Sequence, residues 1–184
     1  MKQKTWTTYK IAFIGVMAAV VCVVTFFRFP LLGSKVHFAN AMCLLAGLLF
    51  GGAGGGLAAG LGSALYDGLF GGYDIIQCLI TFVSKFLMAF LCAKIAGRAQ
   101  AQNKVRVAVA SILGALSYVA LYMLKTFVYQ AFVYAYPMET VWLTMGSKLP
   151  ASLINAVFAM IVAPFLYAAI KPALKRAGLL EKLD

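Results

Sequence analysis

Residues 75–97 read IIQCLITFVSKFLMAFLCAKIAG. As a helix this stretch is long enough to cross the roughly 30 Å hydrocarbon core of a bilayer. Lys85 interrupts it about ten residues from either end, flanked by Thr81 and Ser84. An ammonium at that depth costs about 2.5–3.5 kcal/mol unless it faces protein, water or a ligand. Snorkelling along its own stem does not bring it to the surface from there. One segment therefore specifies both a membrane environment and a polar interior.

Working outward, the whole chain has the same character. Of its 184 residues 64% are hydrophobic and 11% charged, and the mean hydropathy is +0.93. Soluble domains run at about 45–50% apolar and about 25% charged. Inside lipid every backbone polar group needs an internal partner, which leaves helices or a closed barrel. Strict apolar–polar alternation is absent and the apolar runs exceed barrel strands, so the chain is helical. The fold class expected is all-α integral membrane, with six transmembrane helices in a single domain over 1–184. The helices run roughly over 10–28, 38–50, 54–71, 75–97, 105–133 and 147–170. The first, fourth, fifth and sixth are long enough to span. The second and third are short and joined by Gly51-Gly52-Ala53-Gly54-Gly55-Gly56, which fits two short spanning helices or one re-entrant pair.

Lys2, Lys4 and Lys10 precede the apolar run Ile11 to Phe27 in the manner of a signal peptide. That run ends in Arg28-Phe29-Pro30 without a small-x-small cleavage site, so it reads as a retained first helix.

The net charge of +11 sorts by side. With the N-terminus in the cytoplasm, Lys2, Lys4, Lys10, Lys94, Arg98, Lys104, Arg106, Lys171, Lys175, Arg176 and Lys182 all fall at inside ends. That is eleven of sixteen basic residues, and the positive-inside rule then places both termini in the cytoplasm. No basic, aromatic-interleaved face lies outside the apolar runs, so no nucleic-acid partner is expected. Cys22, Cys43, Cys78 and Cys92 each lie within an apolar stretch without a CxxC pair and read as small buried hydrophobes.

Five basic residues remain: Arg28, Lys35, Lys85, Lys125 and Lys148. Four of them fall toward the outer half, beside loop 29–37 and the aromatic-rich loop 134–146. On the sixth segment Lys148, Ser152 and Asn155 share one helical stripe. On the fifth, Tyr122, Lys125 and Tyr129 share a face, where phenols around an ammonium suit an aromatic ring. Asp67 is the one carboxylate inside the apolar segments; it either pairs with Lys85 or shares a ligand with it. His37 and Asn40 open the second segment, and the lone histidine makes a metal site improbable. The candidate substrate-binding set is His37, Asn40, Asp67, Lys85, Tyr122, Lys125, Lys148 and Asn155, with no catalytic residue and no cofactor. Gly15 and Ala19 form a small-xxx-small pair on an otherwise featureless first helix, which offers a docking face. The Gly51–Gly56 run lacks the lysine and hydroxyl of a phosphate-binding loop, so ATP cannot be used by this chain alone.

These residues carry a resemblance. Ser34-Lys35-Val36-His37-Phe38-Ala39-Asn40, Leu65-Tyr66-Asp67 after the glycine-rich turn, Thr81-Phe82-Val83-Ser84-Lys85 and Lys148-Leu149-Pro150-Ala151-Ser152 with Asn155-Ala156 together resemble the substrate-binding S components of energy-coupling factor (ECF) vitamin transporters. The likeness is to a subgroup of predicted riboflavin or pyridoxine/hydroxymethylpyrimidine importers. The resemblance implies a multi-pass protein of the bacterial cell membrane, surrounded by lipid, that binds a small vitamin on the outer side. It also implies docking on one membrane coupling subunit and two ATPases. In that family the first helix carries an Ala-xxx-Ala contact, to which Gly15-xxx-Ala19 is the nearest match here. Two other expectations stand beside it: a stand-alone permease, and an intramembrane enzyme using His37 and Asp67.

Overall fold

Apolar runs of this composition become helices because only a helix satisfies its own backbone within lipid. The computed structural model describes residues 7–31, 34–97 and 103–180. Helix α1, Thr8–Val24, starts at Thr7, whose side chain accepts from Lys10 N. The segment expected as loop 29–37 is instead an antiparallel hairpin of β1, Arg28–Leu31, and β2, Ser34–His37, which sets Arg28 opposite His37. Helix α2 follows over Ala39–Leu69. Helix α3, Ile75–Ala96, is capped by Asp74, which accepts from Gln77 N at 2.8 Å, and ends at Gly97 with φ +78°. Helix α4, Lys104–Val128, is capped by Asn103 and runs into a π-helical turn, Tyr129–Val133. Helix α5, Met138–Arg176, closes the fold.

Expected boundaries shift, and the last helix also continues to Arg176, six residues past its expected end. Residues 138–146, expected in a loop, are the first turns of α5. Pro137 lies just before that helix and Glu139 in its first turn, where a negative charge favours a start. Helix α1 ends at Val24, so the chain turns toward the β-hairpin earlier than the apolar run implies.

The short second and third segments form one continuous helical assignment that turns back on itself at Gly51, where φ is +75° and ψ −176°. A left-handed φ suits glycine at little steric cost. The reversal is visible in the contacts. Cys43 Sγ lies 3.8 Å from Ser63 Oγ, whereas twenty residues of straight helix would hold them about 30 Å apart. A Cβ added to Gly55 would stand 2.5 Å from Gly47 Cα, so the two limbs touch backbone to backbone. The described residues thus form six helical rods. Among the described residues four helical stretches, Ala39–Leu69, Ile75–Ala96, Lys104–Val133 and Met138–Arg176, are long and apolar enough to cross a membrane, and α1 is a shorter apolar helix. Ala39–Leu69 has that length only as the sum of its two limbs.

The first limb of α2 is the centre of the bundle: Leu44, Leu45 and Leu48 are almost wholly enclosed, with α1, α3, α4 and α5 around the hairpin. Small residues let the neighbours close in. A Cβ on Gly62 would meet Ala18 O at 2.3 Å, so α1 and α2 are in backbone contact, the geometry that drives association in lipid.

The fold has two unlike ends. At one, Lys10 approaches Gly54, Lys94 approaches Gly52 and Arg106 approaches Gly97; Lys171, Lys175 and Arg176 finish α5 at the same end. Lys2, Lys4, Arg98 and Lys182 lie outside the described residues. The other end carries the β-hairpin, the tops of α3 and α5, and a recess.

Candidate functional site

The recess has a volume of about 430 Å³ and takes wall residues from every element around it. From α3 come Thr81, Ser84 and Lys85, one helical face at i, i+3 and i+4. From α4 come Tyr118, Tyr122 and Lys125, and from α5 Lys148, Ser152 and Asn155, each set spaced i, i+4, i+7. The second limb of α2 supplies Ser63, Tyr66 and Asp67, and the hairpin Arg28, Pro30 and His37. A volume of this size falls in the ordinary range for small-molecule pockets.

Lys85 lies at its floor, 3% exposed. Its ammonium donates to Asn40 Oδ1 and stands 3.7 Å from the centroid of the Tyr118 ring. A cation over an aromatic face is attracted by the ring quadrupole, more so when desolvated. Of the two readings of Asp67, as a partner of Lys85 or as a sharer of its ligand, direct pairing is not the contact Lys85 makes; its acceptor is Asn40. Asn40, one turn above the buried leucines, is nearer because α2 and α3 pack along their lengths. Asp67 keeps its place in the wall of the same recess.

The hairpin closes one side. His37 N donates to Asn155 Oδ1 at 2.8 Å, tying β2 to α5, and Phe38 meets Phe158 edge-on at 4.7 Å between ring centroids. His37 Nδ1 is buried without a hydrogen-bond partner. Burial, then the positive charges of Lys85 and Arg28, push its pKa down to about 3, so the imidazole is neutral at physiological pH. Arg28 itself lies over Tyr66, with its guanidinium carbon 5.3 Å from the ring centroid.

Aromatic surface lines the rest. Tyr118 and Tyr122 stack at 6.2 Å and 26°, and Lys125 Nζ lies 5.8 Å from the ring centres of both Tyr73 and Tyr129. Of the eight residues expected at a binding site, seven line this recess; Asn40 stands behind the wall and holds Lys85. Tyr66, Tyr73, Tyr118 and Thr25 were not among them. Tyr118 had a readable signal, one helical turn before Tyr122 on the same face; Thr25 had none. Among the described residues no group of three or more His, Cys, Asp or Glu is placed to hold a metal. Gly15 and Ala19 are not in the wall of the recess; both are exposed on α1, and a Cβ on Gly15 would meet nothing within 4 Å.

The arrangement suits reversible capture of one planar, polar solute: a closed floor with a cation, aromatic walls, and a mouth at one end. Known proteins bear on what that solute is. A family profile described as "ECF-type riboflavin transporter, S component" matches residues 5–172. The solved structure of the S component of a bacterial ECF transporter superposes with a TM-score of 0.68, covering 91% of this chain and 98% of that one. At 20% identity that likeness establishes a common fold. A comparison with curated protein sequences gives no match.

Proposed function

This chain belongs to the family of S components of ECF-type riboflavin transporters, and on that premise we propose that it captures a small vitamin with high affinity at the outer side and delivers it inward with an ECF ATPase module. Membership makes it a multi-pass membrane protein and a vitamin-binding transport component, not an enzyme. The finer reading is ours. The vitamin is of the riboflavin, pyridoxine or hydroxymethylpyrimidine class. It contacts His37, Asp67, Lys85, Tyr122, Lys125, Lys148 and Asn155, while Asn40 positions Lys85. What carries this reading is the convergence of five elements' polar side chains on one recess of about 430 Å³ in a chain otherwise built of apolar residues.

In this reading six helical rods span, with both termini cytoplasmic. The support is the gathering of Lys10, Lys94, Lys104, Arg106, Lys171, Lys175 and Arg176 at the end away from the recess. The exposed small-residue face at Gly15 and Ala19 receives the coupling subunit. Mass spectrometry of what copurifies with the detergent-extracted chain tests the capture: a stoichiometric vitamin supports it, and its absence from protein expressed in vitamin-replete cells refutes it. Impermeant thiol labelling of Tyr136→Cys and Lys175→Cys, in a cysteine-free background on intact cells, tests the orientation; labelling of the second alone would reverse it.

A further inference from the structure

We propose that a groove between α1 and α5 holds one acyl chain of an anionic phospholipid, with its phosphate headgroup at Lys10 and Lys171. The groove is separate from the recess and independent of vitamin capture. It has a volume of about 280 Å³ and is lined by apolar residues alone. α1 supplies one wall from Phe13 to Val20, α5 the other with Leu166 and Ile170, and Leu45 and Phe50 of the first α2 limb form a buried floor. The space is there because α1 and α5 each pack on α2 but, among the described residues, not closely on one another.

Shape and charge select the occupant. From Phe13 to Val20 the α1 axis rises about 10 Å, which fits within the roughly 15 Å of hydrocarbon in one leaflet. Spread over that length, 280 Å³ gives a width of about 6 Å, against about 10–12 Å for a helix with its side chains. A hydrocarbon chain enters such a slot; a partner helix does not. The foot of the groove is basic. Lys10 shares a face of α1 with Phe13 and Met17 at i, i+3 and i+7. A Cβ on Gly54 would stand 3.2 Å from Phe50 Cβ and 3.3 Å from Lys10 Cε, so the stem of that lysine lies beside the floor. On α5 Lys171 directly follows Ile170, its Nζ 5.2 Å from the Tyr167 ring centre. Both lysines are partly buried and stand at the basic end of the fold. Basic residues between helices at a membrane surface attract anionic headgroups. An apolar slot with two ammonium groups at its foot thus complements both halves of one phospholipid.

The test gives the full chain, in a neutral detergent, an equimolar mixture of phosphatidylglycerol and phosphatidylcholine with identical acyl chains, and reads the adducts by native mass spectrometry. The expected result is one tightly held phosphatidylglycerol per chain, preferred about 30-fold by the attraction of two lysines. In Lys10→Gln/Lys171→Gln that preference falls toward one. In Lys94→Gln/Arg106→Gln, which removes two cations from the same end but away from the groove, it persists. Val20→Phe/Ile170→Phe fills the slot and loses the tight lipid of either kind. Native melting and monodisperse elution certify each variant as folded; should the altered chains not fold, the competition on the unaltered chain decides. Equal retention of the two lipids overturns the inference, as does a preference that the control variant loses equally. So does a lipid that survives filling of the groove; if that filling instead disrupts self-association or copurification with the coupling subunit, the face belongs to a protein. Each of these failures leaves vitamin capture standing, since none of the altered residues lines the recess.

Discussion

Lys85→Met keeps the length of the side chain and deletes its charge. In the native fold that ammonium is 3% exposed, donates to Asn40 Oδ1 and lies 3.7 Å from the Tyr118 ring centre. A hydrogen bond to a charged group contributes about 1.5–3 kcal/mol, so losing one to the vitamin weakens binding about 10- to 150-fold. Stability responds to opposed effects. The substitution removes the desolvation cost of a buried cation. It also strips Asn40 of its donor, at about 1–3 kcal/mol, and forfeits a desolvated cation–π contact of about 2 kcal/mol. The variant should remain monodisperse and unfold near the native temperature. Asn40→Leu is harsher, because it leaves the ammonium buried without its acceptor; combining the two substitutions should recover part of that loss. Calorimetric titration with the copurifying vitamin and thermal unfolding in detergent measure both halves. An affinity within about twofold of native would make Lys85 a structural post and refute the reasoning.

Gly62→Ala drives a methyl group into Ala18 O, 2.3 Å away, and should cost about 1–3 kcal/mol; an unshifted melting temperature would mean that α1 does not pack so closely. Gly15→Leu/Ala19→Leu, on open surface, should leave melting and vitamin binding unaltered yet abolish copurification with the coupling subunit, and retained copurification would move the docking face elsewhere. Burial and the nearby cations hold the His37 pKa at about 3, so its ring is neutral well below the usual histidine range. Its imidazole NMR shifts should stay flat from about pH 8 down to about pH 5, since an unperturbed histidine titrates near 6.5; a step near that value would contradict the packing around β2.

Much of this architecture was legible because lipid removes alternatives. Apolar runs had to be helices, a mid-span lysine had to face inward, and stripes such as Lys148–Ser152–Asn155 had to share a face. The β-hairpin was not legible: Arg28-Phe29-Pro30-Leu31 offers only four residues per strand, and its pairing depends on docking against α5 through Asn155 and Phe158. Nor was the extension of α5 back to Met138, since aromatic and threonine-rich sequence reads equally as interfacial loop. Asp67 was one candidate partner of Lys85 because charge was the visible criterion. The true acceptor, Asn40, is a neutral amide brought near only by how α2 folds back, which one-dimensional spacing does not record.

The brevity of the first α2 limb has a geometric consequence. Residues 39–50 rise only about 18 Å, some 12 Å short of the hydrocarbon thickness, and they are tolerated there because protein, not lipid, surrounds them. A stunted central column beneath taller neighbours leaves a well above its top. Lys85, ten residues below the start of α3, marks a depth of about 15 Å by helical rise, in agreement with that shortfall. The vessel's capacity is thus set by where one rod stops: splicing a single extra turn in ahead of Ala39 would raise the bottom by about 5 Å and leave the rim untouched.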